Sequence, residues 1–183
     1  MLYSTNNNKI ILDWYDRNKR DLPWRNSQDP YKIWLSEVML QQTQVDTVIP
    51  YFNKWLISYP TIQSVAGADL DDLLKIWEGL GYYTRCRNFY NAANEIVLKY
   101  NGIVPDKIEK FRSLPGVGEY ISGAVMSMAF NQTEIAIDGN HRRIASRVLG
   151  IKSLSIFNRN RIKRYLNHLV ITDRPGDLNQ ALM

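Results

Sequence analysis

Cysteine is almost missing from this chain: Cys86 stands alone among 183 residues. One thiol cannot close an intrachain disulfide, and such scarcity points to a reducing, intracellular compartment. No run of about 18 apolar residues occurs, so a membrane span is not expected. The N-terminus lacks a basic stretch followed by an apolar one, so neither is a signal peptide. Internal repeats are missing. Low complexity is confined to Asn6-Asn7-Asn8, which with the residues before it reads as a loose N-terminus. No strand pattern is convincing; Glu134-Ile135-Ala136-Ile137 is too short. No set of metal ligands is assigned. What remains is 45% apolar, enough for a packed all-α globule of one medium domain or two small lobes.

Charge is unevenly spread. From Asp138 to the end there are nine basic and three acidic side chains, whereas the first 137 residues hold 14 basic and 15 acidic. A basic last third suits a polyanionic partner, or simply a solvated surface. Just before it lies Leu114-Pro115-Gly116-Val117-Gly118, a turn between two helices. Pro115 presets φ, and both glycines permit φ > 0 and leave N–H groups uncovered. The helix that follows offers free N–H groups and a positive dipole end, fit for a phosphate such as that of a DNA backbone. An ordinary helix–turn–helix connection reads the same way.

Two acids stand in unusual places. Asp138, in Ala136-Ile137-Asp138-Gly139-Asn140, is either a helix N-cap or a carboxylate at a pocket edge. Glu37 falls inside the apolar run Ile33-Trp34-Leu35-Ser36-Glu37-Val38-Met39-Leu40. Burial there would raise its pKa and keep it protonated as an acid. On residue type alone, an exposed helical stripe is the favoured reading, because acids are seldom buried.

Elsewhere the pattern is helical throughout. Ile10 to Asn18 has apolar positions Ile10, Ile11, Trp14 and Tyr15, a helical pattern. Trp24-Arg25 reads as a clamp, or as a buried Trp beside a surface Arg. Asp29-Pro30 starts a helix. Thr43 is expected to cap the next one, with Asp46 as its partner, and Pro50 to kink it. Asp69 caps a short helix to Trp77. Tyr82-Tyr83, after Gly79-Leu80-Gly81, either wedges into bases or covers the core. Thr84 to Tyr100 turns Phe89, Ala92, Ala93, Ile96 and Val97 inward and stops at Asn101-Gly102. His141–Leu149 and Ser155–Val170 are basic helices, and Pro175 opens a last one.

Leu-Pro-Gly-Val-Gly at 114–118 followed at this distance by Asp138-Gly139-Asn140 resembles the helix-hairpin-helix superfamily of DNA glycosylases, the fold of endonuclease III. Leu22-Pro23-Trp24-Arg25, the stretch Trp34 to Thr43, Trp77 to Tyr83 and Pro175-Gly176-Asp177 resemble its MutY branch, the adenine glycosylases. The resemblance covers about residues 10 to 183. It implies two helical lobes, 22–137 with six helices and the hairpin, and 1–21 plus 138–183, with the active site in the cleft between them. It also implies a monomer that binds double-stranded DNA, flips out an adenine mispaired with 8-oxoguanine or guanine, and hydrolyses its glycosidic bond. Glu37 then matches the general acid that protonates the adenine at N7, and Asp138 the carboxylate that stabilises the sugar cation. Tyr120 and Asn140 match supporting positions, Arg25 the base pocket, and Gln42 and Tyr82 the residues entering the base stack. Gly116 and Gly118 would hold a phosphate, and Arg143 would contact DNA.

Tyr120 takes the place of the Schiff-base lysine of the bifunctional branch, which implies base excision without efficient strand cleavage. Thymine glycosylases of the superfamily, which lack the acid in this segment, and a DNA-binding module without catalysis remain alternatives. Two departures stand out. His141 replaces the usual aliphatic residue. The four cysteines that ligate a [4Fe–4S] cluster in most members are absent, and Cys86 cannot replace them. A fragment or degraded copy is therefore expected, with reduced stability and weaker discrimination between 8-oxoguanine and guanine.

Overall fold

The computed structural model describes residues 5–153 and 155–183. Among them are eleven α-helices, one 3-10 turn and no strand. The helices are α1 (Thr5–Asn18), α2 (Pro30–Leu40), α3 (Val45–Ser58), α4 (Ile62–Ala66), α5 (Leu70–Trp77) and α6 (Thr84–Tyr100). Then follow α7 (Ile108–Arg112), α8 (Glu119–Phe130), α9 (Gly139–Val148), α10 (Ile156–Leu169) and α11 (Pro175–Leu182). The 3-10 turn is Pro23–Asn26, so the stretch 22–137 holds seven α-helices and this turn.

Local chemistry sets most of the boundaries. Asp29 accepts the Tyr31 N–H at 2.9 Å, with Pro30 at the first helical position of α2. Asp69 caps α5 in the same manner. Asn101 and Asn131 end α6 and α8 in the left-handed conformation. Two boundaries differ from expectation. Helix α1 begins at Thr5 and takes in the asparagine run, and Asn8 Nδ2 donates to the Ile171 carbonyl at 3.1 Å. The expected looseness of Met1–Ser4 lies outside the described residues. Thr43 does not cap α3. That helix starts at Val45 behind Gln44, with no side-chain cap.

Two buried clusters organise these helices. The first is aromatic and draws on α2 to α8. Trp34 lies 4.4 Å from Phe89 and 5.3 Å from Phe111 between ring centroids, and Trp55 lies 5.7 Å from Trp77. Most of these contacts are tilted or edge-to-face, the arrangement aromatic quadrupoles favour. The second cluster joins Leu12 of α1, Ile135, Ala145 of α9, and Ile162, Tyr165, Leu166 and Leu169 of α10 to Leu178 and Leu182 of α11. Helix α11 meets α8 backbone to backbone at Gly176, where an added Cβ would come within 2.8 Å of Met128 Cα. On the far side of α11, Arg174 forks onto Asp16 of α1 at 2.6 and 2.9 Å and reaches Asp177 at 2.8 Å. Thus α11 is tied to both α8 and α1.

Candidate active site

Helix α2 has no polar face. Tyr31 and every residue from Ile33 to Met39 are buried, as expected of a helix that is apolar all round. Glu37 is only 4% exposed. The favoured expectation of an exposed stripe is therefore wrong: Ser36 and Glu37 are the only polar residues between Ile33 and Leu40, too few to make a wet face. Tyr120, near the start of α8, donates its phenol hydrogen to Glu37 Oε2 at 2.7 Å. Burial raises the Glu37 carboxyl to about 7; Tyr120's hydrogen bond opposes that, the Asp138 charge adds to it and Arg25 subtracts. Tyr120 itself is pushed far up by burial and by the Glu37 charge, so it remains a donor.

Asp138 sits in an unlike setting. It is the N-cap of α9, and its Oδ1 accepts the His141 backbone N–H at 2.8 Å. The same oxygen meets His141 Nδ1 at 2.6 Å. Partial burial pushes this carboxyl up, but the side-chain and backbone hydrogen bonds from His141 outweigh it, and the pKa falls below the usual value. The segment leading to Asp138 is held by Asn179 of α11, which is fully buried. Its Oδ1 accepts the Ala136 N–H at 3.0 Å, and its Nδ2 donates to the Glu134 carbonyl at 2.8 Å and to Ser127 Oγ of α8 at 2.9 Å.

Glu37, Tyr120, Asp138, Asn140 and Arg25 all line one cavity of about 340 Å³, large enough for a purine-sized group. Trp24 beside Arg25 is buried. Arg25 Nε donates to Gln180 Oε1 of α11 at 2.8 Å, and Asn140 Nδ2 to the Met183 carbonyl at 2.9 Å. The other anticipated residues lie elsewhere. Gln42 and Tyr82 flank a separate groove with Thr84 and Arg85. Tyr82 and Tyr83 are exposed, so neither covers the core. Gly116 and Gly118 belong to the hairpin before α8, and Arg143 is exposed on α9, outside the cavity. Of the two glycines only Gly116 uses positive φ, at 75°. Gly118 is extended, with φ −90° and ψ −176°.

Sequence reasoning missed Arg85. Its Nη1 donates to the carbonyls of Val38 at 3.0 Å and Met39 at 2.9 Å, at the end of α2, and to that of Gln41. Its Nη2 donates to the carbonyls of Leu80 at 3.1 Å and Gly81 at 3.2 Å, and to Thr43 Oγ1 at 3.3 Å. One guanidinium therefore holds both bends that carry Gln42 and Tyr82, each at positive φ of 58° and 49°. Thr43, which it also contacts, lies one residue before Gln44, the N-cap of α3, and so is not placed to cap it. The signal was present: Arg85, Phe89, Ala92, Ala93 and Ile96 share the buried stripe of α6. Cys86 beside it is fully buried, its thiol pushed up to about 12 by burial. An iron–sulfur cluster takes thiolates from several cysteines and does not fit the residues present.

Residues 35–168 match the family of HhH-GPD superfamily base excision DNA repair proteins. The adenine DNA glycosylase of Buchnera aphidicola from Acyrthosiphon pisum is 39% identical over 180 residues, covering 96% of this chain and 51% of its own. That of Rattus norvegicus is 43% identical over 184 residues, covering 94% of this chain and 36% of its own. The chain thus spans about half or less of the length of these relatives. A thermostable thymine-DNA glycosylase has a similar structure, with a TM-score of 0.87 at 26% identity, covering 96% of this chain and 82% of that one. Endonuclease III in a non-covalent DNA complex shares the fold, with a TM-score of 0.75 at 21% identity over 98% and 84% of the two chains.

Proposed function

This chain belongs to the HhH-GPD superfamily of base excision DNA repair proteins, and from there we propose that it removes adenine mispaired with 8-oxoguanine or guanine. The observation that carries the reading is a pair of carboxyls on one cavity whose surroundings drive them apart: Glu37 up to about 7, Asp138 below its usual value. Such a pair divides into an acid and a charged stabiliser. The flipped adenosine would place its base toward Glu37 and its sugar toward Asp138. Glu37 gives its proton to N7, the C1′–N9 bond breaks with its electrons going to the base, and neutral adenine leaves. The sugar cation left behind is stabilised by the Asp138 carboxylate until water adds at C1′ and loses a proton. Tyr120 holds Glu37 in place, and Arg25, fixed by Gln180, lines the base side. A phenol cannot form a Schiff base, so the product is an abasic site in an uncut strand.

Adenine is preferred over thymine because the relatives near 40% identity are adenine DNA glycosylases. The thymine reading has the TM-score of 0.87 in its favour, so the test includes both substrates. Single-turnover excision is measured on duplexes with A opposite 8-oxoguanine, A opposite G, and T opposite G, each with and without alkali, for wild type and Glu37→Gln. The expected result is cleavage of the adenine strands only after alkali, lost in the variant. Excision confined to thymine would replace the substrate. Binding without excision would leave a DNA-binding module.

A further inference from the structure

His141 is the least economical residue near the cavity. Its ring is fully buried, at 0% exposure, and Nε2 has no hydrogen-bond partner. An aliphatic side chain would fill that position without stranding a polar nitrogen. The ring's one polar contact is Nδ1 with Asp138 Oδ1, at 2.6 Å. That oxygen also accepts the His141 backbone N–H, so it is an acceptor toward its neighbours, and the hydrogen of the short contact belongs on Nδ1.

We propose that His141 is a positioning residue, whose Nδ1–H fixes the Asp138 carboxylate in one rotamer, charged and aimed into the cavity. This rests on the excision reading above and extends it to a residue that does not itself touch the substrate. The backbone cap restrains Oδ1 from one direction, and a second donor at the same oxygen, from the ring, restrains it from another. The arrangement parallels an imidazole oriented by a buried acid, with the roles exchanged: here the imidazole orients the acid. The lowered pKa of Asp138 agrees with this geometry.

The test compares His141→Val, which keeps a buried apolar group and removes the donor, with His141→Asn. The Asn Nδ2 stands at the same distance along the side chain as the imidazole Nδ1 and can donate to the same oxygen. His141→Val is expected to slow single-turnover excision about tenfold or more, the order lost when a hydrogen-bonded support is removed. Its affinity for a duplex with an uncleavable adenosine analogue should not fall, and its Tm should drop only modestly, by the hydrogen bond to Asp138 that it loses. His141→Asn should recover most of the rate. Wild-type rate in the Val variant, or equal loss in both variants tracking Tm, overturns the proposal. Nitrogen-15 NMR of the wild-type imidazole gives a second readout independent of activity. A protonated Nδ1 is expected, and a bare Nδ1 with Nε2–H overturns it. If wild type excises no base at all, the excision reading fails, and the tautomer still decides whether His141 holds Asp138.

Discussion

Glu37 and Asp138 reach the same cavity from opposite kinds of structure. Glu37 stands mid-helix in a segment buried on every side, with one phenol as its hydrogen-bond partner. Asp138 stands at a helix start with its side chain 27% exposed, accepting the His141 backbone N–H and meeting His141 Nδ1 at 2.6 Å. The first environment withholds solvation and favours the neutral acid; the second supplies donors and favours the anion. The same functional group is thereby given two charges by backbone placement. A helix interior has no spare N–H groups to offer, and a helix N-terminus has several.

Substitution at each acid should break this contrast in opposite directions. Glu37→Gln removes the proton donor and should cut excision by about a thousandfold or more. Asp138→Asn keeps an acceptor for the cap and removes the charge, and should lose excision to a similar degree. Their stabilities should diverge. A carboxyl raised from 4.5 to about 7 on folding binds its proton more tightly in the native state. Its contribution is therefore fully present below pH 4.5 and is lost as pH rises through about 7. Glu37→Gln should then be more stable than wild type above pH 7, by up to about 3 kcal/mol, with the gain vanishing in acid. The lowered Asp138 carboxyl works in reverse, stabilising above its ordinary pKa and losing that contribution as pH falls through the lower folded value. Asp138→Asn should be the less stable protein at neutral pH and converge on wild type in acid. Denaturant midpoints across pH measure both. Parallel curves for the two variants would mean that the surroundings do not separate the acids.

Arg85 sharpens the comparison from outside the cavity, because it closes the helix that carries Glu37. Its hydrogen bonds to Val38 and Met39 satisfy carbonyls that the end of α2 leaves without partners. Arg85→Met keeps much of the volume and strands these groups, and should cost about 3 kcal/mol. Binding should weaken further than stability alone explains, since the Gln42 and Tyr82 bends lose their common anchor. A urea midpoint unchanged from wild type would show that the α2 terminus does not need the guanidinium.

Features set by neighbours in sequence were legible from it. Asp29 with Pro30, Asp69, and the Asn101 stop act within five residues, and all behave as their chemistry requires. Features set across the fold were not. Thr43 is claimed by an arginine 42 positions away, and Asn8 by a carbonyl 163 away. The burial of Glu37 depends on α8 covering the side of α2 that residue type alone would have left wet. The motif resemblance singled out Glu37 and Asp138, which line one cavity, but said nothing of Arg85, Asn179 or Gln180, which brace the parts around them. His141 was visible as an oddity beside Asp138; its ring contact was not, because that depends on where α9 begins.

The hairpin glycines carry a smaller and cleaner contrast. Gly116, at φ 75°, would bring an added Cβ within 2.8 Å of Asn88 Cβ. The fold itself requires that glycine. Gly116→Ala should cost about 1–2 kcal/mol from the left-handed backbone alone, more with the contact, and lower Tm by roughly 3–6 °C. Gly118 is extended, and nothing lies within 4 Å of where its Cβ would be. No contact inside the chain demands a glycine there. What the extended backbone does provide is an uncovered approach to the N–H groups at the start of α8, the place proposed for a DNA phosphate. Gly118→Ala should therefore leave Tm unchanged or slightly higher while weakening duplex binding a few-fold, measured by fluorescence anisotropy at fixed salt. If Gly118→Ala binds duplex as wild type does, no phosphate comes close to that N-terminus, and the hairpin acts only as a joint between α7 and α8.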